Sequence, residues 1–215
     1  METATVSAAR GPAPEPLAGG VAVVLVVRDE ARLALRTLLS LAAREERIDF
    51  HTVLIDDASL DATPVVVAGV QGDFTTLRRE RPQGFAAGLD AAVTACEQEL
   101  IVVLREDLLT TAGWLEHTVA PFCDPAVGAV RPRVVDLSGE QIADACWPCL
   151  AFRRAAFESV GGVSGAARNG RALRASFTDA LTAAGWALAD APDALLLSVP
   201  LAASDAAGFF EVAPL

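Results

Sequence analysis

ELIVVLREDLLTTAGWLE, residues 99–116, changes character three times. Leu100 to Leu104 is an unbroken apolar run, the mark of a strand buried on both faces. Arg105, Glu106 and Asp107 follow it, and then comes a helical stretch with Trp114 and Leu115 in its early turns. In an open α/β sheet, ligands bind outside the carboxyl ends of the strands, so Glu106 and Asp107 are placed to face a cleft. Adjacent carboxylates there suit Mg²⁺ or Mn²⁺, which take oxygen ligands and share their shells with phosphates. A solvated acidic turn has the same composition. What the other strand ends carry therefore decides between the two.

Upstream, GVAVVLVV (Gly20 to Val27) is a β-branched run of the same kind, ending in Arg28, Asp29 and Glu30. Leu33, Leu38, Leu39 and Leu41 then recur at near-helical spacing between Glu30 and Ala43. FHTVLID is a second strand that ends at Asp56 and Asp57, and SLDATPVVVAG starts a helix with Ser59 or Asp61 as N-cap. DFTTLRRE reads as a weaker third strand near an edge, and QGFAAGLDAAVTACEQ as an Ala-rich helix opened by a glycine turn at Gly84. Strand and helix thus alternate four times, which predicts a single α/β domain with a mainly parallel, Rossmann-like sheet flanked by helices. In such a sheet the three acidic strand ends share one edge. Carboxylates there can accept from a base N–H or a ribose hydroxyl, or ligate a metal.

The second half is less regular. VGAVRPRVVD is a predicted strand, CLAFRRAAFESVGG a strand running into a short helix, residues 172–184 a helix, and ALLLSV a last strand. Residues 1–19 read as a disordered leader, residues 20–200 as the domain, and 201–215 as a tail without pattern. A chain of 215 residues can bury one sizeable core, and its net charge of −11 excludes nucleic acid as a partner. No apolar run reaches the roughly 18 residues of a membrane span, and the start lacks an apolar signal region, so the expected location is cytoplasmic. Cys146 and Cys149 form CWPC, yet the residues after it read as a strand, whereas a redox pair opens a helix. Neither His51 nor His117 has a motif context, and Gly84 is not followed by the Gly-Lys-Ser/Thr of a phosphate loop.

Taken in order, these pieces resemble the GT-A domain of family-2 glycosyltransferases. VAVVLVVRDEARLALRTLLSL stands where that family has its first strand, a Tyr-Asn-Glu-like turn and a long helix. VLIDDASLDAT matches Val-Val-Asp-Asp-Gly-Ser-x-Asp-x-Thr, and GFAAGLDAA matches Gly-Phe-Ala-Ala-x-x-Asn-x-Gly. VVLREDLLTTAGWLE matches the aspartate-rich metal element, and DPAVGAVRPRVVD and CLAFRRAAFESVGG the two elements after it. The resemblance implies a nucleotide-sugar donor or nucleoside diphosphate, an unknown acceptor and a divalent metal, Mn²⁺ or Mg²⁺. Val27, Arg28 and Glu30 would line the nucleoside pocket beside Gly84. Asp57 would accept from the base, Glu106 would sit near the ribose, and Asp107 would ligate the metal.

The chain departs from the pattern at several points. Arg105 stands where the metal element has an acidic residue or Asn, Arg28 replaces Tyr, and Pro82 replaces Asn. Counting back from Ala184-Gly185 puts Leu173 and Arg174 where the family has the acidic pair that supplies its base. Asp179 is the nearest carboxylate and the one weak candidate for that role. The sequence therefore admits an inverting glycosyltransferase with a divergent base. It equally admits a non-catalytic module that binds a nucleotide, another protein or a second copy of itself. A thiol redox protein is the third alternative.

Overall fold

Val21–Val27 forms β1 at the centre of the computed structural model, which describes residues 19–43, 47–142, 149–163 and 170–199. Six of its seven side chains are buried, because helices cover both faces. Phe50–Asp56 (β2) and Leu100–Leu104 (β4) pair with it in parallel, and Phe74–Arg78 (β3) pairs in parallel with β2 as an edge strand. The crossovers are Ala31–Ala42 (α1), Thr63–Ala68 (α2) and Phe85–Thr94 (α3). Both a glycine and a close approach are needed where α3 meets β1. A Cβ at Gly88 would lie 2.5 Å from Val26 Cγ1.

Beyond β4 the chain adds Leu108–Thr110 (β5), Trp114–Val119 (α4), a 3-10 turn at Ala120–Cys123 and Val127–Val135 (β6). Cys149–Arg153 (β7), Arg154–Ser159 (α5), Gly170–Ala183 (α6) and Ala187–Ser198 (β8) complete it. The eight strands form one sheet in the order β3-β2-β1-β4-β7-β6-β8-β5. It is mixed: β7 runs antiparallel to both β4 and β6, while β8 runs parallel to β6 and antiparallel to β5. The carboxyl ends of β1, β2, β4, β6 and β8 thus point to the same edge.

Two cores lie on opposite faces. One packs α1 and α4 through Leu38, Trp114 and Leu115. The other packs α3, α5 and α6 through Leu89, Phe157, Leu173 and Phe177, with Phe152 and Phe157 stacked at 5.2 Å. No helix among the described residues is long and apolar enough to cross a membrane. Cys149 is buried in β7, and burial pushes its thiol up, which disfavours thiolate chemistry. Cys146 lies outside the described residues, as do residues 1–18 and 200–215.

Candidate functional site

The edge at the carboxyl ends of β1, β2 and β4 is built from short polar contacts between loops distant in sequence. Asp29, with a left-handed φ of 55°, donates its N–H to Ser59 Oγ at 3.0 Å and accepts from Leu60 N–H at 2.6 Å. Asp61 receives Ala31 N–H at 3.0 Å and Thr63 N–H at 2.8 Å, so one carboxylate serves the starts of both α1 and α2. That differs from the expected cap. The N-cap residue of α2 is Ala62, Ser59 serves Asp29, and Glu30, at the N-cap of α1, makes no side-chain capping bond.

Asp56 and Asp57 are both buried, each with its own task. Asp56 accepts from Ser59 N–H at 2.8 Å and from Arg78 at 2.6 Å, fixing the turn after β2. Asp57 accepts from the N–H groups of Gln83 at 2.9 Å and Gly84 at 2.8 Å. A carboxylate at the start of α3 also offsets the positive end of that helix. Gly84 itself has φ 85°, a conformation that favours glycine. Ala58, between these aspartates and Ser59, has φ 61° without being glycine. The family pattern has Gly at that place.

At the end of β4, Arg105 straddles Asp107. Its Nε donates to Oδ1 and its Nη2 to Oδ2 at 2.6 Å, while Ser198 at the end of β8 donates its hydroxyl to Oδ2 at 2.6 Å. Val199 N–H donates to Asp107 O at 3.0 Å, and Arg36 on α1 donates to Val199 O. The Thr37 hydroxyl meets the carbonyls of Glu106 and Leu108 at 2.6 and 2.8 Å. Burial alone would raise the Asp107 carboxyl, but the bonds from Arg105 and Ser198 outweigh it and hold it below its ordinary range.

Glu106 behaves oppositely. Burial raises it, and repulsion from Asp107 and Glu30 adds to this against the pull of Arg105. Glu30 is likewise raised, by burial first and then by Asp61, Asp29 and Asp107. Glu30, after β1, therefore senses the adjacent Glu106 and Asp107, after β4, across the edge. Asp61 is held low by its bonds to Thr63 and Ala31 in spite of burial.

Of the residues expected from sequence, Val27, Arg28, Glu30, Asp57, Gly84, Glu106 and Asp107 all lie in the segments of this edge. Asp179 lies apart, on the exposed face of α6 opposite the buried Phe177 and Leu181. Ser198, Thr37 and Arg36 were not legible, because their partners lie from 69 to 163 residues away. The donor set does not fit a divalent cation as folded. Both oxygens of Asp107 are engaged, and among the described residues no group of three or more His, Cys, Asp or Glu is arranged to hold a metal.

The profile of glycosyl transferase family 2 matches residues 22–142, more than half of the chain. A pre-mycofactocin glycosyltransferase of Mycobacterium tuberculosis is 33% identical over 137 residues, 62% of this chain and 27% of that protein. The chain thus spans about a quarter of the length of that curated relative. Among solved structures, the mannosyltransferase PcManGT of Pyrobaculum calidifontis, in complex with GDP-Man and Mn²⁺, superposes with a TM-score of 0.69 at 22% identity. The match covers 84% of this chain and 57% of that one. GalNAc-T7 with UDP, GalNAc and Mn²⁺ gives a TM-score of 0.69 at 16% identity, over 84% of this chain and 44% of that one. At these identities the structural likeness is one of fold.

Proposed function

This chain belongs to glycosyl transferase family 2, and from that premise we propose that residues 20–200 bind a nucleotide-sugar donor at the carboxyl edge of β1, β2 and β4. The observation that carries the reading is that Glu30, after β1, and the adjacent pair Glu106 and Asp107, after β4, are brought close enough at that edge to repel one another. Surface acids with no common ligand have no reason to be gathered there. The nucleoside lies against Val27, Arg28 and Glu30 beside the Gly84 turn that Asp57 secures, and Glu106 accepts from the ribose. The diphosphate points toward Arg105. Guanidinium groups bind phosphate oxygens in charge-assisted pairs, and Arg28 and Arg105, which follow β1 and β4, suit that role.

In the transfer, an acceptor hydroxyl attacks the anomeric carbon. The nucleoside diphosphate leaves with the bonding electron pair, the configuration inverts, and the hydroxyl proton passes to a base. With Leu173 and Arg174 at the place of the acidic pair and Asp179 facing solvent, this chain binds donor better than it transfers sugar. Losing a general base costs about 10²- to 10⁴-fold in rate. The test is calorimetric titration with UDP, GDP and their sugars, in EDTA and in Mn²⁺, beside a transfer assay. Saturable nucleotide binding with little turnover is the expected result. Robust transfer by the purified chain that is lost in Asp179→Asn overturns the split, and an absence of nucleotide binding overturns the reading itself.

A further inference from the structure

A second cleft, of about 470 Å³, lies between β6, the middle of β8 and the first turns of α6. That volume is in the range of small-molecule sites. Among the described residues, three guanidinium groups line it, from Arg131, Arg133 and Arg174, against a single carboxylate, Asp190. Arg131 is already matched, since its Nε and Nη2 reach the Asp190 oxygens at 2.8 and 3.0 Å. Arg133 is exposed and Arg174 half-buried, and neither forms an ion pair or side-chain hydrogen bond among the described residues. Among the described residues the cleft therefore carries two unbalanced positive charges, in a chain whose net charge is −11. Unpaired guanidinium groups facing one concave surface attract an anion, and attract it more strongly where low-dielectric walls focus their field.

Its position relative to the donor edge is set by strand register. Arg133 pairs with Leu195, and Ser198, three residues farther along β8, pairs with Leu108 and holds Asp107. Three rises of about 3.3 Å and two strand spacings of about 4.8 Å, taken at right angles, separate the two places by roughly 14 Å. Arg174 also stands where the family pattern calls for an acidic residue, so the sign of the charge is reversed there. We propose that this cleft binds an anionic group, phosphoryl or carboxylate, carried by the acceptor. That assignment to the acceptor rests on the glycosyltransferase reading above, while the anion site itself does not.

The test uses the full chain and the side-chain Nε–H resonances of its arginines, titrated separately with inorganic phosphate and with acetate. Saturable shifts at Arg133 and Arg174 are expected. In the Arg133→Gln, Arg174→Gln double variant the anion affinity should fall at least tenfold, and neither substitution removes a bond that holds the fold. The anion that saturates names the chemistry, phosphoryl or carboxylate. Shifts that rise linearly and equally at all exposed arginines, saturation at Arg105 instead, or unchanged affinity in the double variant would each overturn the proposal. UDP added to the same samples is read at the amides of Gln83 and Gly84. Failure of the donor reading therefore appears there, separately from failure of the cleft.

Discussion

The two edges of the sheet treat charge in opposite ways. At the edge where β4 starts, Arg153 donates to Glu99 at 2.5 Å and to the carbonyls of Val127 and Phe122 at 3.0 and 2.5 Å. Its neighbour Arg154 donates to the carbonyls of Gln98, Val93 and Cys96 at 2.9, 2.7 and 2.7 Å. Those bonds tie β7 and α5 to β6, to α3 and to the turn that leads into β4. At the edge where β4 ends, Glu30 and Glu106 face other carboxylates, and folding raises both. Perturbed titration of this kind concentrates at functional sites. The first edge spends its charges on holding the fold, whereas the second leaves carboxylates facing one another, as the proposed donor site requires.

The largest effect should come from the stabilising edge. Arg154→Met leaves three carbonyls without their donors and should lower unfolding stability by about 3 kcal/mol in urea titrations. Glu106→Gln, on the other edge, should stay within about 0.5 kcal/mol of the parent. Equal losses in the two variants would erase the distinction.

Next in size is a change at the binding edge itself. Arg105→Asp removes the guanidinium that occupies Asp107 and adds a second carboxylate beside it. Mn²⁺ affinity, measured by calorimetry, should rise at least tenfold, or about 1.4 kcal/mol. An unchanged affinity would mean that Asp107 is kept from metal by something other than Arg105.

Ala58→Gly should stabilise the chain by about 0.5–1 kcal/mol, since a left-handed residue with a Cβ carries a strain that glycine lacks. A lower midpoint in the same urea experiment would contradict this.

The smallest effect is on pH dependence. Folding raises Glu106, so the folded chain binds more protons than the unfolded one between the ordinary value of 4.5 and the raised one. Stability falls as pH climbs through that window. Asp107 is lowered, so its contribution is present above its ordinary value of 3.8 and is lost as pH falls through the folded value. Glu106→Gln should flatten the decline above about pH 4.5 and leave the loss below 3.8 in place. A variant whose whole profile matches the parent would show that Glu106 is solvated like any surface acid.

β1, β2 and β4 were legible because buried parallel strands read as apolar runs, and their acidic ends could be assigned to one edge from topology alone. The second half was harder. The three-residue β5 is too short to leave a pattern, and the residues after Asp107 read as passing directly to a helix. β8 begins seven residues before the apolar run that marks it, with Asp190, Pro192 and Asp193 inside. That irregular stretch makes one wall of the arginine cleft, so the cleft was hidden too. Arg105 was readable as a substitution in the metal element. Ser198, which completes the clamp, was not, because a hydroxyl ninety-one residues away leaves no local signal.

The central claim is that the edge at the ends of β1, β2 and β4 is a nucleotide-sugar site. The most direct measurement is a crystal structure of the chain soaked with UDP or GDP. Density for the base against Val27–Glu30 and Asp57, with the diphosphate running toward Arg105, is the predicted result. A nucleotide bound elsewhere on the chain, with that edge filled only by solvent, would contradict it.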